Sequence, residues 1–166
     1  MNFNLKKLFL SILIIGLSTF STNCSKKSIP KNIEYRNNEY GFIFILPESW
    51  KGYSIVFDKW EGFSFDENGN QKIVENGVII LIRHPEWSSS DPRQDIPIMV
   101  FTINQWNLLQ EDKFHIGAAP INPTELGKNN KYVFALPARY NFSYLKGYEE
   151  VDAILKGNAL KTFNIK

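Results

Sequence analysis

Cys24 is the single cysteine of the chain, and His84 and His115 are its two histidines. Thiolate and imidazole are the side chains that most readily do nucleophilic, proton-transfer and metal chemistry near neutral pH. Cys24 therefore has four conceivable roles: nucleophile, metal ligand, redox sensor or point of lipid attachment. One thiol and two imidazoles are too few for a structural zinc set of four Cys and His ligands. A site built from His84, His115 and a carboxylate would require two distant loops to meet. No G-x-S-x-G turn, G-x-G-x-x-G fingerprint or phosphate-cradling Gly-rich loop is present. The carboxylates Glu149-Glu150 and Asp91/Asp95 have no spacing that demands acid–base work, and read as a helix N-terminus and loop solvation. No catalytic residue, metal ligand or cofactor is assigned.

Two long polar segments offer binding rather than chemistry. RHPEWSSSDPRQDIP, from Arg83 to Pro97, holds three prolines and Trp87. FHIGAAPINPTELGKNN, from Phe114 to Asn130, is rich in small residues and Pro and contains His115. Loops beyond about 12–15 residues in a compact domain often carry function. Arg83, His84, Trp87 and His115 are the candidate binding residues. Trp87 among polar neighbours is suited to stack on a sugar ring or a protein partner. Against this stands a structural role, with Trp87 folded over a sheet edge and Arg83 paired to Glu86 or Asp91.

The elements that must hold these residues begin with the first thirty. Asn2 to Lys7 is short and basic, and LFLSILIIGL (Leu8 to Leu17) is a ten-residue apolar run. A helix crossing a bilayer needs about 20 apolar residues, whereas the apolar region of a secretory signal spans about 7–15. Residues 1–23 are read as a signal peptide. A cysteine a few residues beyond such a run resembles the processing site of bacterial lipoproteins, in which the thiol receives a diacylglyceryl group and becomes the first mature residue. That box usually has Leu three places before Cys and Gly or Ala just before it; here Ser21 and Asn23 stand there. The resemblance makes Cys24 the lipidation site, and two acyl chains give lasting attachment at about 0.8 kcal/mol per buried CH₂. Residues 24–32 (CSKKSIPKN) are polar and basic and read as a flexible tether, in which Lys26, Lys27 and Lys31 either rest against anionic headgroups or simply solvate the linker.

Of the 19 basic residues, Lys6 and Lys7 fall before Cys24, where no acid occurs, leaving 17 basic against 17 acidic residues in the mature part. A neutral body has no electrostatic footprint for nucleic acid. At 166 residues with 43% hydrophobic content, the chain can bury one proper core.

From Ile33 to the C-terminus, a single domain over 33–166, β signals dominate. GFIFILP places apolar residues on both faces and ends at Pro47, as a strand in a covered sheet does. GYSIVFDKWEGFSF reads as a strand or strand pair interrupted at Gly62, DENGNQ as a hairpin turn, and GVIILIRHP and IPIMVFT as buried strands. KYVFALP is a further strand. INQWNLLQEDKF switches to helical spacing with Ile103, Trp106 and Leu109 on one stripe, and Thr102 with Gln105 forms a capping box. GYEEVDAILKGN is a helix with Val151, Ile154 and Leu155 inward, acids in its first turn, and Gly157 closing it. The pattern predicts an α+β fold, a largely antiparallel sheet flanked by helices.

YGFIFILPESW resembles the opening strand of PsbP-like and DcrB-like proteins, and GYEEVDAIL fits their closing helix. From YGFIFILPESWKGYSIV through RQDIPIMVF and KYVFALPARYNF, the chain is similar to a group of uncharacterised bacterial lipoproteins. The resemblance implies a PsbP-like layered sandwich, held by a lipid on the extracytoplasmic face of a membrane, and supplies no catalytic residue. The expectation is a non-catalytic binding or scaffolding domain whose partner is an unidentified protein or small molecule. The alternative is a secreted, hydrolase-like enzyme with a site between the 83–97 and 114–130 loops.

Overall fold

The computed structural model describes residues 32–117 and 121–166. Strand β1 (Ile33–Asn37) turns back through Asn38–Gly41 into β2 (Phe42–Leu46), and a single 3₁₀ turn (Glu48–Trp50) follows Pro47. Two long strands, β3 (Ser54–Phe65) and β4 (Gln71–Arg83), form one hairpin. Then come β5 (Ile96–Thr102), α1 (Ile103–Gln110), β6 (His115–Ile116), β7 (Thr124–Lys128), β8 (Tyr132–Leu136), α2 (Tyr148–Lys156) and β9 (Leu160–Thr162). They make a three-stranded sheet, β1-β2-β9, and a six-stranded sheet, β6-β3-β4-β5-β8-β7, and every strand pairing is antiparallel. The chain is thus α+β, with its antiparallel sheets flanked by helices, as its sequence pattern predicts.

Strand alternation decides what each layer buries. Phe42, Phe44 and Leu46 of β2 are fully buried, and they pack with Ile80 and Ile82 of β4, Ile96, Ile98 and Val100 of β5, and Val151 of α2. Ile43 and Ile45, on the other face of β2, are only half-buried. The opposite face of the large sheet carries Trp60, Met99, Phe101, Val133 and Ala135, closed by Leu109 of α1 and by Phe114. Covered on both faces, β5 is buried from Ile96 to Phe101, which is why IPIMVF is a continuous apolar run.

Two glycines make room for rings. A Cβ on Gly77 would lie 2.6 Å from the Trp60 indole, and one on Gly62 would lie 2.4 Å from the Phe114 ring. Trp60 Nε1 donates to the Val100 carbonyl at 3.0 Å, so the indole is paired as well as packed. Gly62 also marks a bulge: Gly62 opposes Glu75 and Phe63 opposes Ile73, leaving Val74 without a partner.

Local signals placed several element ends correctly. Thr102 Oγ1 accepts from Gln105 N–H at 3.2 Å, and the Gln105 side chain accepts from Thr102 N–H at 3.0 Å. Gly157 closes α2 through its N–H to the Ala153 and Ile154 carbonyls. Other expectations are corrected. GVIILIRHP is the second half of a longer strand that begins at Gln71. Ile103 is exposed, so the inner side of α1 is carried by Trp106, Leu108 and Leu109. The 114–130 segment is no continuous loop, because β6 and β7 lie within it. TELGK is polar because β7 is an edge strand paired only to β8, so it lacks the apolar alternation that marks a strand. Among the described residues no helix is long and apolar enough to cross a membrane.

Candidate functional site

The segment between β4 and β5 is the richest polar network of the fold. Arg83 ends β4, and its guanidinium grips Asp95 with Nη2 at 2.8 Å and Nε at 3.2 Å from the carboxylate. The same guanidinium lies 3.9 Å over the Trp87 ring, a cation–π contact. Trp87 is therefore a lid on Arg83. The expected partners of Arg83 are corrected: Glu86 pairs with Arg93, and Asp91 pairs with Lys146 at 2.6 Å. The reason is reach, since Asp95 sits at the mouth of β5, the strand hydrogen-bonded to β4.

His84 is 5% exposed, with its ring edge-on to Trp50 at 5.0 Å. Its Nδ1 accepts from the Glu86 N–H at 3.1 Å, which leaves Nε2 to carry the proton of the neutral ring. Burial, and then the charge of Arg93, hold its pKa below the usual histidine value. His84 is thus a neutral, hydrogen-bonded part of the packing at neutral pH. Arg93 also reaches Glu150 at 3.7 Å, and Glu150 accepts from Ser49 Oγ at 2.7 Å. The result is an ionic clasp tying the 84–95 segment, the 3₁₀ turn and the start of α2 into one end of the molecule. Trp50 Nε1, fully buried beside it, has no hydrogen-bond partner among the described residues.

His115 lies elsewhere. It is exposed on β6 and opposes Phe63 of β3, whereas Arg83, next to His84, opposes Ser54. Nine residues of extended strand separate those positions, on the order of 30 Å. The structure brings Arg83, His84 and Trp87 together and leaves His115 apart from them. Among the described residues no group of three or more His, Cys, Asp or Glu side chains gathers as metal ligands. Cys24 lies outside the described residues.

Three features were not singled out in the sequence. A mostly apolar groove of about 550 Å³ runs between the end of β2 and α2, lined by Ile45, Leu46, Pro47, Ala153 and Ile154, with the polar Asn32, Glu150 and Lys161 also on its lining. The far end of the β3–β4 hairpin exposes Phe65 (65%) and Ile73 (54%). The 137–147 segment exposes Phe142 (76%) and Tyr144 (69%). For the two exposed patches a signal was available: large apolar residues within polar, turn-forming stretches, where no core claims them. Comparison of the chain with family models, with curated proteins and with solved structures gives no match, so the functional reading rests on this geometry and on the sequence.

Proposed function

We propose that this protein is exported, held on the extracytoplasmic face of a membrane by a lipid on Cys24, and that its PsbP-like layered body is a non-catalytic binding or scaffolding module. One observation carries the reading: the two ends of the body are built for different tasks. The chain enters at Ile33, opposite Leu46 and beside Tyr53, whose hydroxyl donates to the Glu34 carbonyl at 3.2 Å. This is the end of the ionic clasp, where the polar groups pair with one another. The hairpin tip lies eleven strand residues away from Ser54, roughly 35 Å, and there Phe65 and Ile73 are exposed. A tethered body of this shape presents its apolar tip away from the anchor. The groove beside Asn32 supplies a second surface, concave and mostly apolar, of the kind that small ligands use.

Detergent phase partition of the native chain against Cys24→Ala tests the anchor. The native chain goes to the detergent phase and the variant to the aqueous phase; both in the aqueous phase would end the lipid claim. The hydrolase alternative needs its histidines and acids in one cleft, and the separation of His84 from His115 together with the burial of His84 argues against it.

A further inference from the structure

We propose that the Pro137–Gly147 segment (PARYNFSYLKG) is a membrane-contact loop, with Phe142 and Tyr144 entering the headgroup region of an anionic lipid surface. The inference rests on the anchored reading above and assigns a second contact to the same membrane. Phe142 and Tyr144 are the two most exposed of the large hydrophobic side chains described. Aromatic rings favour the boundary between water and hydrocarbon.

The loop is braced from below. The Tyr140 hydroxyl donates to Asp152, and the Tyr140 carbonyl accepts from Gln94 Nε2 at 3.3 Å. Gln94 N–H donates to the Lys146 carbonyl at 2.9 Å. Above this base, Arg139 (φ 55°) and Tyr144 (φ 47°) adopt left-handed backbone without being glycine, a conformation costing on the order of 1 kcal/mol or more at each residue. Tyr144 also meets the Tyr148 ring edge-on at 5.1 Å. The aromatic pair is held outward by a fixed scaffold.

Place and charge select the partner. Through Lys146, Gln94 and Asp91 the loop joins the clasp, which is the end where the chain enters. Asn32 follows Cys24 by only eight positions, about 28 Å at full extension, so a lipid on Cys24 keeps this end close to the bilayer. The loop contains Arg139 and Lys146 and no acid, and the tether contains Lys26, Lys27 and Lys31 and no acid. Lys146 is paired with Asp91, whereas Arg139 makes no ion pair among the described residues. Arg139, beside the exposed aromatics, is the loop's cation left to match an anionic headgroup layer, and the tether lysines add basic charge in the sequence that leads to this end.

The test uses the full chain with an environment-sensitive fluorophore on Phe142→Cys, or on Glu67→Cys at the far hairpin turn as control. With Cys24 acylated the new thiol is the only one; a Cys24→Ser arm supplies the same labels on unanchored protein. Phosphatidylcholine vesicles with and without phosphatidylglycerol are added to the unanchored arm, and the acylated protein is reconstituted into both. A several-fold rise in emission with a blue shift is expected at 142 on phosphatidylglycerol vesicles, and no change at 67. Phe142→Ser with Tyr144→Ser should weaken vesicle binding of the unanchored chain about tenfold or more, with an unchanged melting curve as the check on folding. No response at 142 in either arm overturns the proposal, as does an equal response at 67. A response at 142 that grows with protein concentration without vesicles also overturns it, in favour of self-association. Phase partition reports on the anchor independently, so loss of the anchored reading and loss of the membrane loop give different results.

Discussion

The two ends of the β3–β4 hairpin are made from the same pair of strands and have opposite characters. At the Ser54–Arg83 end the strands lie inside the two-sheet sandwich, with Ile82 fully buried and Ile55 packed on the same core. There the polar groups are locked by neighbours: Arg83 by Asp95 and Trp87, and His84 by Glu86 and Trp50. At the Phe65–Gln71 end β4 has run past its pairing with β5, which covers Ile79 to Ile82 only. Lys72, Ile73 and Val74 are exposed, and the turn is stabilised locally, by Asp66 accepting from the Asn68 and Asn70 N–H groups at 2.8 and 2.9 Å. The tip is left to local hydrogen bonds because no second layer reaches it. Within the hairpin, polar side chains surrounded by partners at one end and apolar ones without cover at the other make the clasp a structural device and the tip a surface; the exposed apolar residues of the clasp end, Phe142 and Tyr144, belong to the separate 137–147 loop.

That contrast is open to measurement, and its sharpest form is stability. Trp50→Ala removes a fully buried ring from beneath the clasp and is expected to cost about 3–5 kcal/mol in urea unfolding. Phe65→Ala at the tip is expected to stay within about 0.5 kcal/mol. Equal losses at both ends would erase the distinction. Next in size is the ion pair: Asp95→Ala leaves Arg83 without its bidentate partner in a half-buried site and is expected to cost about 1.5–3 kcal/mol. The exposed Lys59–Glu61 pair on β3 should lose at most about 1 kcal/mol on Lys59→Ala.

The smallest effect is a slope with pH. The folded pKa of His84 lies below its unfolded value, so between the two the unfolded chain binds the extra proton. Stability from this group is complete above the unfolded value of about 6.5 and is lost as pH falls toward the folded value. Urea midpoints between pH 7 and pH 5 should therefore fall more for the native chain than for His84→Gln. Parallel curves would show that His84 is not the titrating group.

Much of the fold was legible because it was written in local chemistry. Pro47 and Pro137 stop strands by lacking a donor, Thr102 and Gln105 satisfy each other's backbone, and Gly157 closes its helix whatever lies around it. Less was legible where an element owes its existence to a neighbour. Thr124–Lys128 is a strand because β8 offers it an edge, and Leu160–Thr162 is a strand because β2 does. Neither carries an alternating pattern of its own. The candidate site shared this limit: Arg83, His84 and Trp87 were identifiable as residue types in a long segment, but nothing in RHPEWSSSDPRQDIP ranks Asp95 above Glu86 or Asp91.

The sequence alone determined the order of most elements, the near-neutral charge of the chain from Cys24 onward and the expectation of an exported, lipid-held chain, because these follow from composition and short-range chemistry. Only the tertiary structure decided that His84 and His115 stand far apart, that Trp87 covers Arg83, and that Phe142 and Tyr144 face outward at the end where the chain enters. Those are relations between residues distant in sequence, and they exist only once sheet pairing has brought their strands together.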